Sequence, residues 1–102
     1  MRKIYTADDI KEMLMPIFSA NPIDRAILFG SYAKGNPTQS SDIDILIDSN
    51  GKVTGINFFG ILEDITEVLD APVDMLETSQ IVYGSQIQFE IEKTGMVIYE
   101  KA

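Results

Sequence analysis

Apolar residues near the start of the chain recur at helical spacing: Ile10, Met13, Leu14, Ile17 and Phe18 form the stripe of an amphipathic helix. Thr6 stands in front of it as an N-cap, and Asp8 and Asp9 fall in the first turn, where negative charge suits the helix dipole. Pro16 lies inside the stripe, so the helix is expected to kink there or end early. Asn21-Pro22 then signals a stop and a turn.

The pattern next changes to short unbroken apolar runs. Residues 26–29, Ala-Ile-Leu-Phe, end at Gly30 and read as a buried strand, with a short helix expected over Tyr32-Ala33-Lys34. Residues 43–47 form a second such run, closed by the Asn50-Gly51 turn. Phe58, Leu62, Ile65 and Leu69 restore helical spacing, and residues 72–76 give a third strand. Residues 83–93 alternate like a strand at Ile87, Phe89 and Ile91. However, Ser85-x-x-Gln88 resembles a capping box and Gly95 suits a helix C-terminus, which favours a helix. A last strand is expected over residues 96–99. The sum is an α/β (α+β) alternation in one domain, residues 1–102, with a mixed sheet of about four strands and helices packed against it.

Composition narrows the chemistry. With 45% apolar residues, disorder is not expected. The net charge is −8 and the densest basic cluster is Arg2-Lys3, so a nucleic-acid polymer is not the expected ligand. There is no cysteine and no histidine, which excludes disulfides, thiol nucleophiles, histidine triads and histidine zinc sites. Any metal would be held by oxygen, which favours Mg²⁺, Mn²⁺ or Ca²⁺. No apolar run suggests a membrane span and the first residues do not read as a signal peptide. The expected location is the cytoplasm. Acidic residues outside the strands (Asp8, Asp9, Glu63, Asp64, Glu67, Glu90, Glu92) are expected on solvated helix faces.

Asp42 and Asp44 do not fit that picture, because they flank Ile43 at the head of an apolar strand. Alternate strand residues point to one side, about 6.6 Å apart along the backbone. Held about 4 Å apart, two carboxylates repel by about 4 kcal/mol at an effective dielectric of about 20. Water, a shared proton or a divalent cation would relieve this, and the pair alone reads more readily as a solvated strand end. Gly30-Ser31 follows the preceding strand. Such a turn can present N–H groups and a hydroxyl to phosphate, though glycine-serine is also a common helix cap. Asp74 is a third charge in a short apolar strand, Pro72-Val-Asp-Met-Leu76. It reads either as an outward edge residue or, if its strand neighbours that of Asp44, as a third carboxylate.

Gly30-Ser31, ten residues, then Asp42-x-Asp44 resembles the signature of the DNA polymerase beta-like nucleotidyltransferases. The nearest resemblance is to the minimal (MNT) nucleotidyltransferases, which are often encoded beside a HEPN-domain protein as a toxin–antitoxin pair. The likeness runs from the leading helix through "LFGSYAKG", "SDIDILID" and "PVDML" to "EKTGMVIYE". It implies that Asp42, Asp44 and Asp74 are the catalytic carboxylates and bind two Mg²⁺ ions, with Mn²⁺ as a substitute. It implies that Gly30 and Ser31 hold the triphosphate of ATP, with Lys34 beside them or merely exposed in the turn, and that Asp74 acts as general base. The implied reaction is transfer of AMP to a tyrosine of a HEPN partner. The family pattern has arginine where this chain has Tyr32 and Lys34; a lysine keeps charge but loses the bidentate fork, and Tyr32 is expected to pack. Larger relatives carry an acceptor-holding helical domain, so a hetero-complex or homo-oligomer is expected here. Contact-only neutralisation of the partner and transfer to a small molecule are the alternative functions.

Overall fold

The computed structural model describes residues 4–102, so the Arg2-Lys3 pair lies outside the described residues. In chain order the elements are α1 (Ala7–Ser19), β1 (Arg25–Phe29), α2 (Ser31–Lys34), β2 (Ile43–Asp48), α3 (Gly55–Leu69), β3 (Val73–Glu77), a 3-10 turn (Thr78–Gln80), α4 (Gln86–Thr94) and β4 (Met96–Glu100). The strands form one mixed sheet in the order β3-β2-β1-β4. β1 runs antiparallel to both β2 and β4, whereas β2 and β3 are parallel. Parallel neighbours need a crossover, and α3 supplies it.

Local chemistry accounts for most boundaries. The Thr6 hydroxyl accepts the Asp9 N–H and the Asp9 carboxylate accepts the Thr6 N–H, a reciprocal capping box. Of the two outcomes expected at Pro16, an early end is not seen, because α1 continues through it to Ser19. Pro16 and Glu12 are both exposed, so the Glu12 carbonyl that loses its helical partner faces water. The ambiguous segment after residue 83 is helical: Ser85 Oγ accepts the Gln88 N–H at 3.2 Å. The Gln88 side chain does not complete that box but accepts from the Gly84 N–H at 2.6 Å.

The core lies on one face of the sheet, under α1 and α3. Ile10, Leu14 and Phe18 of α1 and Ile65 and Leu69 of α3 are fully buried there with Ile43, Ile45, Ile47 and Leu28. Each such side chain contributes about 1.5–3 kcal/mol. Of the expected α3 stripe, Ile65 and Leu69 are buried and Phe58 and Leu62 pack against the core, while Ile61, outside that stripe, is buried as well. Its first two turns contain Ile56, Phe58, Phe59, Ile61 and Leu62, enough apolar positions for more than one stripe. Because strand side chains alternate, residues 44 and 74 face away from this core while Ile45 and Met75 enter it.

At the far end of β3 stands Glu77, which is 1% exposed. Its carboxylate accepts the Ser49 N–H and hydroxyl at 3.1 and 2.7 Å, the Gly51 N–H at 3.2 Å, the Thr78 hydroxyl at 3.2 Å and the Ser79 N–H at 2.6 Å. Burial pushes its pKa up, but the hydrogen bonds from Ser79 and Ser49 more than offset this and hold it at about 2, below the ordinary 4.5. A folded-state pKa below the unfolded one adds stability above pH 4.5 that is lost as pH falls towards 2. Glu77→Ala orphans several buried donors. It is expected to cost about 2 kcal/mol and to lower the calorimetric Tm by roughly 8–16 °C, with a shallower loss of stability on acidification. A Tm within a degree or two of wild type would contradict that role.

Candidate active site

Four elements converge at the end of the sheet opposite Glu77. β1 ends in Phe29, whose register partner is Asp44 on β2, and Asp44 is in turn paired laterally with Asp74 on β3. Neighbouring strands are about 4.8 Å apart, so these two carboxylates share one face of the sheet. Asp42 precedes β2 by one residue and is exposed, Asp44 is half-buried and Asp74 is exposed. The expected neighbourhood of β2 and β3 is therefore present, and it brings Asp74 alongside Asp44.

Gly30 links β1 to α2 with φ 75° and ψ −152°, a region essentially reserved for glycine. A Cβ added there would collide with the Asp44 carboxylate. The glycine is therefore required twice, by its backbone angles and by the acid seated against it. Ser31 opens α2 directly after it, half-buried. The first N–H groups of any helix lack intrahelical partners, so this turn has donors to offer a ligand beside Asp44. Tyr32 is 5% exposed and belongs to the core, in line with packing rather than chemistry. Lys34, the last residue of α2, is exposed and paired with Glu90 at 3.6 Å.

Glu90 and Thr94, both on α4, are the site residues that the sequence pattern did not single out. Glu90 is half-buried rather than on a solvated face. Thr94 Oγ1 accepts the Gly30 N–H at 3.2 Å. Neither role leaves a local sequence signal, because each depends on a segment some sixty residues earlier in the chain.

The electrostatics are unbalanced. Burial, then the negative charges of Asp74, Asp42 and Glu90, push Asp44 up from 3.8 to about 6. Among the described residues no lysine or arginine pairs with Asp42, Asp44 or Asp74. As placed, no three acidic groups among the described residues already converge at metal-binding range. The donor set nevertheless fits a hard divalent cation: the oxygens carry uncompensated charge, and Asp42 and Asp74 are exposed and can reorient.

Residues 12–102 match the family model described as polymerase beta, nucleotidyltransferase. The chain belongs to that family. As a member it is a nucleotidyltransferase, and its fold agrees. A chain from a crystal structure of a toxin–antitoxin complex with AMP-PNP superposes with a TM-score of 0.74 at 19% identity, over 89% of this chain and 73% of that one. A chain from the complex of tri-AMPylated Shewanella oneidensis HEPN toxin with MNT antitoxin gives 0.69 at 16% identity, over 94% and 74%. In sequence, a Methanocaldococcus jannaschii protein provisionally named a protein adenylyltransferase is 32% identical over 74 residues, covering 72% of this chain and 80% of its own. A second protein of that organism with the same provisional name is 29% identical, covering 86% and 93%. Among the described residues no helix is long and apolar enough to cross a membrane.

Proposed function

We propose that this nucleotidyltransferase is a Mg²⁺-dependent protein adenylyltransferase of one domain, residues 1–102, that transfers AMP from ATP to a tyrosine hydroxyl of a HEPN-type partner and thereby neutralises it. The observation that carries the reading is the seating of Gly30 against Asp44 with Asp74 alongside. It supports the reading by setting a glycine turn beside two neighbouring carboxylates. The toxin–antitoxin neighbours and the adenylyltransferase names of the relatives support the protein substrate.

In this reading Asp42, Asp44 and Asp74 hold the divalent ions. Bound there, such ions would stabilise the entering and leaving oxygens of a displacement at phosphorus. In the same reading, the N–H groups and hydroxyl of Gly30-Ser31 orient the triphosphate, and Lys34, at the end of α2, exchanges Glu90 for a phosphate oxygen. Asp74, exposed at the rim, takes the proton of the attacking hydroxyl. The oxygen–phosphorus bond to the acceptor forms as the α–β bridge breaks, and pyrophosphate leaves with the bonding electrons.

The direct test is incubation with labelled ATP, Mg²⁺ and the HEPN-type partner. Label is expected on the partner, and none is expected if its acceptor tyrosines are replaced by phenylalanine. No transfer at all would defeat the proposal. Mg²⁺ is also expected to raise the Tm, and more so with ATP, because ligands that bind only the native state stabilise it by about 2.7 kcal/mol at a hundredfold excess over Kd. An unmoved Tm at millimolar metal and nucleotide would count against the site.

The burial of Tyr32 and the Lys34–Glu90 pair favour one second reading, neutralisation by contact alone over a weakened phosphate site. It requires that Asp42→Asn/Asp44→Asn still protects cells from the partner. A folded, partner-bound double variant that fails to protect excludes it.

A further inference from the structure

Gly30 is buried, and its conformation is one that residues with a side chain rarely adopt. Its carbonyl accepts from the Lys34 N–H at 3.1 Å within the turn. Its N–H points out of the turn and reaches Thr94 Oγ1 at 3.2 Å. That hydroxyl in turn donates to the Glu90 carbonyl at 2.8 Å, which spends its one proton and turns its lone pairs towards Gly30. No residue of α4 is fully buried. The helix therefore adds little to the core, and its contact with the Gly30 turn is a specific one. Gly95, directly after Thr94, has no room for a Cβ, which would strike the Ile91 carbonyl and come within 3.0 Å of Ile27 Cγ2. The end of α4 is thus fixed against β1, and Thr94 with it.

We propose that Thr94 is a positioning residue for the nucleotide. Its hydroxyl fixes the peptide between Phe29 and Gly30, and through it the direction of the Ser31 N–H and hydroxyl that meet the triphosphate. The inference rests on the reading of Gly30-Ser31 as the phosphate turn. Without the hydroxyl, a buried N–H loses its partner. An orphaned donor costs about as much as a tenfold change in an equilibrium, and the peptide relieves it by rotating, which misdirects the donors that follow.

The test is calorimetric titration of AMP-PNP in the presence of Mn²⁺, and of Mn²⁺ alone, into wild type, Thr94→Val and Thr94→Ser. Valine keeps the branched shape and serine keeps the hydroxyl. AMP-PNP is expected to bind about tenfold more weakly to Thr94→Val and within about twofold of wild type to Thr94→Ser. Mn²⁺ alone is expected to bind all three equally, because its ligands sit on β2, β3 and the residue before β2. Equal AMP-PNP affinity in Thr94→Val, an equal loss in Thr94→Ser, or a parallel loss of Mn²⁺ binding would overturn the role of Thr94 while leaving the phosphate turn intact. A wild-type chain that binds no AMP-PNP would overturn the phosphate turn itself, and this inference with it.

Discussion

Asp44→Asn is expected to abolish AMP transfer while making the metal-free protein more stable. Asp44 stands at the centre of the site: it pairs laterally with Asp74, is separated from Asp42 by Ile43 alone, and abuts Gly30. Losing a ligand to ions that stabilise transition-state charge by several kcal/mol corresponds to at least about a thousandfold in rate, at about 1.4 kcal/mol per factor of ten. Stability moves the other way. The folded-state pKa of Asp44 is raised to about 6 from 3.8, so its neutral form contributes stability that is complete below pH 3.8 and lost as pH rises through 6. Above that, the ionised group burdens the fold by about 1–2 kcal/mol once solvent screening is allowed for. The amide removes that burden. Without metal at pH 8, the Tm of Asp44→Asn is expected to exceed wild type by several degrees, and the gap is expected to narrow as pH falls through 6 and to close below pH 3.8. A variant that is less stable at both pH values would refute the charge-repulsion account, and one with retained activity would refute the catalytic one.

Gly30→Ala is expected to be almost as damaging, through shape alone. Alanine is disfavoured at φ 75°, ψ −152° by about 1–3 kcal/mol, and its methyl group would occupy the place of the Asp44 carboxylate. Either the turn or the acid must move. Activity is expected to fall at least about a hundredfold, since misplacement by about 1 Å is enough for that, and the Tm is expected to drop by roughly 5–15 °C. The effect should not be additive with Asp44→Asn, because both act on one contact. In the double variant, the rate relative to Asp44→Asn should change by less than about tenfold. Full additivity in the rates would show that the two residues act separately.

The features that could be read from the sequence are those with a local physical cause. Thr6 and Ser85 mark helix starts because a cap needs only its own next turn. Asp42-x-Asp44 is conspicuous because charge is costly in an apolar strand, and Gly30 because a turn follows it. Asp74 was ambiguous by itself and gained meaning from the parallel register that sets it opposite Asp44. The resemblance to the nucleotidyltransferases joins these pieces from the sequence alone. Glu77, Glu90 and Thr94 could not be read in this way. Glu77 follows the apolar residues of β3 and is buried only because the loop at Ser49–Gly51 folds over it. Glu90 looks like any solvated helix acid until α4 is laid against the turn of Lys34. The core stripe of α3 is legible at Ile65 and Leu69 but not at Ile61, for a related reason. When a helix offers apolar residues on several sides, the neighbouring elements decide which side is buried.

The most direct test of the three-carboxylate centre is Mn²⁺ binding, followed by the EPR signal of the free ion with AMP-PNP present, in wild type, Asp42→Asn and Asp74→Asn. Wild type is expected to bind Mn²⁺, and each variant to bind it at least about tenfold more weakly. Binding that is unchanged in Asp74→Asn, or absent from wild type at millimolar Mn²⁺, would contradict the assignment of these acids to one metal centre.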